Sequence, residues 1–316
     1  MNPPIISIII PTYNRGTLLS ETLNSIVDQK FTNWECLIVD DGSIDNTSQI
    51  VQAYCEKDTR FIYLQRPKNR KRGGNAARNF GYEKAKGKYV QWFDSDDIMK
   101  PNLLKLQLEN IINNKKAFSI CLFDRYDANL NIIKVKAVPN VIHYNIYYDF
   151  LSKSLKANLP TILFSKKILE GYSLSEDLLK SQEYEFLQRF FREHYEEGVL
   201  LNEVLVKVRR HSDSITQTLT AEKCASALQA ILITRNEMPK SPKTIQNKVS
   251  LQYLATLYLP FSHKMTVIFF KYLFKLYRFD FFKSLVAIPF LTIMYFIYLY
   301  LKMPIWYYKN IYKLYK

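Results

Sequence analysis

Residues 89–97 read YVQWFDSDD, an apolar run that ends in three carboxylates within four positions. Tyr89 to Phe93 suit a short strand covered on both faces. Asp94, Asp96 and Asp97 then crowd the strand's C-terminal end, where like charges repel unless a cation sits among them. Mg2+ or Mn2+ takes oxygen ligands and bridges protein carboxylates to diphosphate oxygens, which fits such a cluster. A solvated acidic turn capping the helix after Pro101 is the bland alternative, so the rest of the chain has to decide.

Upstream, the same grammar repeats. Ile5 to Ile10 is a β-branched run, followed by the turn Thr12-Tyr13-Asn14-Arg15-Gly16 and by Leu19, Leu23, Ile26 and Val27 at helical spacing. Cys36 to Val39 forms a second buried strand, halted by Asp40-Asp41-Gly42-Ser43, and Asp45 suits the cap of a helix carrying Ile50, Val51 and Tyr54. Phe61 to Leu64 is a third strand, and a helix is expected over about 75–85. This βαβα order predicts a parallel sheet with helices on its faces. In such sheets the ligand crevice lies beyond the C-terminal strand ends, which is where the polar clusters 11–15, 40–43 and 94–97 fall.

The loop into the third helix is RPKNRKRGGNAARNFG, residues 66–81. Gly73-Gly74 lets backbone approach a ligand, Asn75 can cap the helix, and Arg72 and Arg78 are candidates for diphosphate or sugar contacts. The loop lacks GxxxxGK[ST] and GxGxxG, which argues against an NTPase or a dinucleotide enzyme. Beyond residue 100 the pattern loosens: a helix from Pro101, strand-like pieces at 119–123, 132–138 and 161–164, a helix over 183–193 and a last strand at 204–208.

PTYNR (11–15), VDDGS (39–43), GGNAARNFG (73–81) and YVQWFDSDD (89–97), in that order, resemble the signatures of family 2 glycosyltransferases with the GT-A fold. The resemblance covers roughly residues 4–100. It implies an α/β fold with a Rossmann-like, mostly parallel sheet, and an inverting transfer of sugar from a nucleoside diphosphate donor, UDP being the expected carrier. Nucleotide-sugar contacts are then implied for Pro11, Tyr13, Asn14, Arg15, Asp40, Asp41, Arg72, Asn75, Arg78, Asp94 and Ser95. Asp94 and Asp96 are the implied holders of Mn2+ or Mg2+, with Asp97 the alternative to Asp96. His211, after the last strand, resembles the late histidine that approaches metal or diphosphate. The family's catalytic base is the second member of a Glu-Asp pair opening a later helix. Here Gln182-Glu183 stands in that place, so Glu183 is the expected base, one methylene longer than usual, with Asp177 of Glu176-Asp177 as an outside candidate. That departure also supports an alternative, a non-catalytic nucleotide-sugar-binding or scaffold protein on the same fold. A sugar-nucleotide pyrophosphorylase, a third reading, would carry a Gly-rich loop near the N-terminus that this sequence lacks.

The formal charge is +15, and residues 240–316 hold twelve basic residues against one acid, Asp280. Lysines there interleave with Phe, Tyr and Trp, which suits segments lying in the interface of an anionic membrane better than nucleic acid. Residues 284–301 are uncharged and just reach spanning length, but basic flanks on both sides give no orientation. The expected organisation is a catalytic unit over 1–220 (donor half 1–100, acceptor half 101–220) and a helical, membrane-associating region over 221–316, which offers a subunit contact as its alternative use. The expected acceptor is a saccharide or a lipid-linked sugar of surface polysaccharide, lipopolysaccharide or glycolipid. Four scattered cysteines, without metal-finger spacing, and the lack of an apolar leader suit the cytoplasmic side of the cell membrane, with peripheral or monotopic attachment.

Overall fold

The computed structural model describes residues 3–133, 141–210, 220–238, 242–262 and 265–275, with 288, 289, 291–293 and 295. Its first half alternates as expected: β1 (Ile6–Thr12), α1 (Leu19–Val27), β2 (Trp34–Asp40), α2 (Thr47–Lys57), β3 (Phe61–Gln65), α3 (Gly74–Lys84) and β4 (Tyr89–Trp92). The four strands pair in parallel in the order β3-β2-β1-β4, with Ile8 opposite both Cys36 and Gln91. β1 is apolar at nearly every position because both faces are covered. Ile6, Ile8 and Ile10 join the cluster under α1, whereas Ile9 joins the cluster on the other face. That is the period of two expected of a strand.

The second half completes the sheet. It adds β5 (Ile98–Met99), α4 (Leu103–Asn114), β6 (Phe118–Tyr126), α5 (Ile146–Leu151), β7 (Ile162–Ser165), α6 (Gln182–His194) and β8 (Gly198–Arg209). β7 runs antiparallel to β4 and β6, β8 runs parallel to β6, and β5 closes the edge antiparallel to β8. The last strand is far longer than the five residues its sequence suggests. Register shifts around Leu122 leave its polar stretch Asn202-Glu203 out of the ladder as a bulge, and the pairing resumes at Val204. Of the expected strand at 132–138, Ile132 makes one antiparallel bridge to Tyr126, and residues 134–138 lie outside the described residues.

Three helices follow, α7 (Ala221–Glu237), α8 (Lys243–Ser262) and α9 (Thr266–Leu273). Leu228, Ile231, Val249 and Tyr253 belong to the same buried cluster as Phe118, Phe164, Phe186 and Phe190. Among the described residues no helix is long and apolar enough to cross a membrane, and most of 284–301 lies outside them. Gly81 sets how closely α3 packs. A Cβ there would sit 2.4 Å from Ile9 Cγ2 and 3.1 Å from Val39 Cγ2.

Candidate active site

Parallel pairing brings the C-terminal ends of β1, β2, β3 and β4 to one edge, and their turns bond to each other. The backbone N–H of Asn14, at φ +50, donates to the Ser43 hydroxyl oxygen at 2.9 Å, and its side-chain oxygen accepts from Ile44 N–H. The Arg15 N–H donates to Thr47 Oγ1, while the Arg15 guanidinium lies 3.9 Å from Asp96. The first, second and fourth turns are therefore one connected surface. Pro11, next to last in β1, lies opposite Val39, and Tyr13 just beyond the strand is exposed.

Asp40 is buried and its carboxylate is well supplied with donors. Oδ1 accepts from the N–H groups of Gly42 and Ser43 and from the Ser43 hydroxyl, and Oδ2 accepts from Tyr63 at 2.6 Å. The Tyr63 hydroxyl is pushed up to about 12, first by burial and then by this carboxylate. Asp41 is engaged by the basic loop. It takes the Arg66 guanidinium and the Gly73 N–H, while Arg66 also reaches the carbonyls of Pro67 and Arg70. The basic loop is thus folded on its own contacts: Arg70 pairs with Glu83, Lys71 with Asp177, and Arg72 stands over the Tyr13 ring at 5.3 Å.

Asn75 does not cap α3. Gly73, at φ +133, occupies the cap position, so Asn75 is already inside the first turn and its amide donates to Ser175 O at 2.6 Å. Asp45, in contrast, does accept from the first N–H of α2, at Thr47.

Asp94, Asp96 and Asp97 bring carboxylate oxygens within 4.8 Å of one another, with Ser95 buried between them. Asp97 is the most enclosed. Its Oδ1 accepts the Arg209 N–H, its carbonyl accepts the Thr22 hydroxyl, and its Oδ2 is buried without a hydrogen-bond partner. Burial, then the charges of Asp94 and Asp96, holds its carboxyl well above the usual range. Three converging carboxylates, one with an orphaned oxygen, fit the oxygen donor set of Mg2+ or Mn2+. β8 delivers the Arg209 amide to this cluster. His211, two residues on, lies outside the described residues.

Arg78 is buried and stands between two acids, its Nη2 2.6 Å from Asp94 Oδ1 and 3.9 Å from Glu183 Oε1. It is thus engaged by carboxylates of the site itself. Glu183 lies in the first turn of α6, and its Oε2 accepts the Leu159 N–H at 3.3 Å. Burial, then the charge of Asp94, pushes it up to about 7; Arg78 and Leu159 pull the other way. Asp177, by comparison, is exposed and tied to Lys71. Sequence reasoning missed Tyr63, Asn79, Arg209 and Ser226, which support the site through contacts distant along the chain.

The family model described as glycosyl transferase family 2 matches residues 7–171, just over half of the chain. An uncharacterised glycosyltransferase of Haemophilus influenzae is 35% identical over 144 residues, a match that covers 46% of this chain and 57% of that protein. Among solved structures, S. aureus TarS 1-349 in complex with UDP-GlcNAc superposes with TM-score 0.66 at 18% identity, covering 87% of this chain and 81% of its own. The mannosyltransferase PcManGT of Pyrobaculum calidifontis, in complex with GDP-Man and Mn2+, gives 0.58 at 17% identity, covering 100% and 84%. At these identities the likeness is one of fold, and the fold is GT-A.

Proposed function

The chain belongs to glycosyl transferase family 2, and on that premise we propose that it moves a sugar from a nucleoside diphosphate sugar to an acceptor hydroxyl with inversion at the anomeric carbon. One observation carries the reading: a half-buried carboxylate, Glu183, pushed up to about 7, lies across Arg78 from a cluster of three aspartates. A general base works best with a pKa near the working pH. Glu183 takes the acceptor's proton as the new C–O bond forms and the bond to the diphosphate breaks from the opposite face. Arg78 holds Asp94 and Glu183 apart as ionised neighbours. Asp94, Asp96 and Asp97 are the residues that would hold Mn2+ or Mg2+, which when bound supplies positive charge for the departing diphosphate. Tyr13 with Arg72 over its ring, Asn14, Arg15 and Ser95 are the proposed contacts to the nucleotide sugar, and Asp40, held by Tyr63, is the proposed contact to the base.

UDP is the proposed carrier, and a saccharide or lipid-linked acceptor at an anionic membrane the proposed setting. The net charge of +11 over residues 240–316, interleaved with aromatics, supports that placement. Donor turnover is measured with UDP-glucose, UDP-galactose, UDP-N-acetylglucosamine and GDP-mannose, with Mn2+ or with chelator. Glu183→Gln and Asp96→Ala are expected to lose turnover at least 100-fold. Parent-like turnover by both variants would overturn the roles assigned to Glu183 and Asp96, and no turnover of any donor by the parent would return the protein to the non-catalytic reading.

A further inference from the structure

Glu183 is placed by what precedes it. Between Gly171, at φ +82, and Ser181, at φ +60, the chain runs from contacts with α3 to contacts with α7 and then enters α6. Its first part is held from the donor half. Asn79 exchanges two hydrogen bonds with the Leu174 backbone and donates to Glu176, and Asn75 donates to Ser175 O. Its last part is held by one side chain from α7. The Ser226 hydroxyl accepts from the N–H groups of Leu179 at 2.9 Å and Lys180 at 3.1 Å, and donates to Lys180 O at 3.0 Å. A hydroxyl offers one donor and two acceptor positions, so all three are used on two adjacent residues. The pinned pair ends three residues before Glu183.

We propose that Ser226 is a positioning residue: it pins residues 179 and 180 and thereby sets the register at which α6 presents Glu183 to the acceptor. The proposal rests on Glu183 being the base. It also makes α7 a working part of the catalytic unit. Gln188 and Arg192 of α6 both bond Glu237 at the far end of α7, so the two helices are tied at each end. Leu179 is exposed and Lys180 partly so. Water can therefore replace the lost partners in Ser226→Ala, and folding changes little while the entry to α6 loosens. Misplacing a catalytic group by a fraction of an ångström lowers the rate without weakening binding to groups elsewhere.

The test uses the full chain with Mn2+ and whichever of the four sugar nucleotides the parent turns over fastest. Ser226→Ala is expected to lower kcat about tenfold, with donor KM and the UDP-induced thermal shift unchanged. Ser226→Thr, which keeps the hydroxyl, restores kcat. In a Glu183→Gln background Ser226→Ala produces no further loss, because the group it positions is gone. Parent-like kcat in Ser226→Ala, beside a Glu183→Gln variant that has lost turnover, overturns the positioning role and leaves the base standing. Parent-like turnover in Glu183→Gln overturns both. Failure of threonine to restore kcat, or a fall in kcat matched by weaker UDP binding, marks a merely structural contact and overturns the proposal as well.

Discussion

Replacing Glu183 by glutamine is expected to stabilise the protein in alkaline solution while removing its activity. In the folded chain this carboxyl is pushed from 4.5 to about 7, first by burial and then by the charge of Asp94. Its ionised form is therefore disfavoured by folding. A tenfold change in proton affinity corresponds to about 1.4 kcal/mol, so keeping Glu183 ionised above pH 7 costs about 3 kcal/mol, and screening of its 30% exposed side chain lowers this to about 2 kcal/mol. The sign follows from linkage. Between pH 4.5 and 7 the folded state binds more proton than the unfolded one, so stability present at low pH is lost as pH rises through about 7. Glutamine keeps the shape and carries no charge, and it gains over the parent at pH 8 but little at pH 5. For a chain of this size the gain is roughly 3–6 °C in Tm. Melting of parent and variant is compared at both pH values in chelator, alongside donor turnover. Equal Tm differences at pH 5 and pH 8, or a variant that melts lower at pH 8, would refute the account of how the acid is held.

The same shift predicts the rate profile: kcat/KM falls as pH drops through about 7, roughly tenfold between pH 8 and pH 6, with the limb abolished in Glu183→Gln. Asp97→Asn and Asp96→Ala should remove the rise in Tm that Mn2+ gives the parent; a retained rise would place the cation elsewhere. Gly81→Ala adds a Cβ 2.4 Å from Ile9 Cγ2, an overpacking of about 2 kcal/mol that the better helix propensity of alanine offsets by about 1, so urea denaturation should show a net loss near 1 kcal/mol with the Mn2+ response intact. Flotation should recover the full chain with vesicles containing phosphatidylglycerol and not with phosphatidylcholine alone, and binding should weaken with salt.

The donor half was readable because its information is local. A strand buried on both faces is apolar at nearly every position, as in β1 and β2, and the turn that follows must hold whatever the strand ends present. Four strands with helices between them have essentially one right-handed parallel arrangement, and this carries Asn14, Asp40 and Asp94 to a common edge. The acceptor half is different in kind. β7 enters the sheet between β4 and β6 by antiparallel pairing across some seventy residues of sequence, and β5 is two residues long. The polar Asn202-Glu203 reads as a break in β8, yet the pairing survives it through a bulge, which periodicity does not encode.

Partner choice among the charged groups was the least legible part of the site, and the reason is physical. A sequence shows that Arg78 and Asp41 are available for a ligand; it does not show which internal charges meet them first. Burying a guanidinium without a partner is strongly unfavourable, so an arginine on the inner face of α3 is held by the nearest acids the fold supplies. Those acids are Asp94, sixteen residues away, and Glu183, more than a hundred. Arg66 likewise takes Asp41 and folds the loop that carries Arg72 to Tyr13. Charges that look like ligand contacts in the sequence thus act mainly on other charges, fixing the position and protonation of the few groups left to face a substrate. By that logic Arg78→Met should hurt more than loss of one diphosphate contact would. It leaves Asp94 and Glu183 without their shared cation, raises the Glu183 carboxyl further from its usual range and moves the acid limb of the rate profile to higher pH. A variant that merely binds donor more weakly, with the limb unmoved, would instead place Arg78 on the ligand.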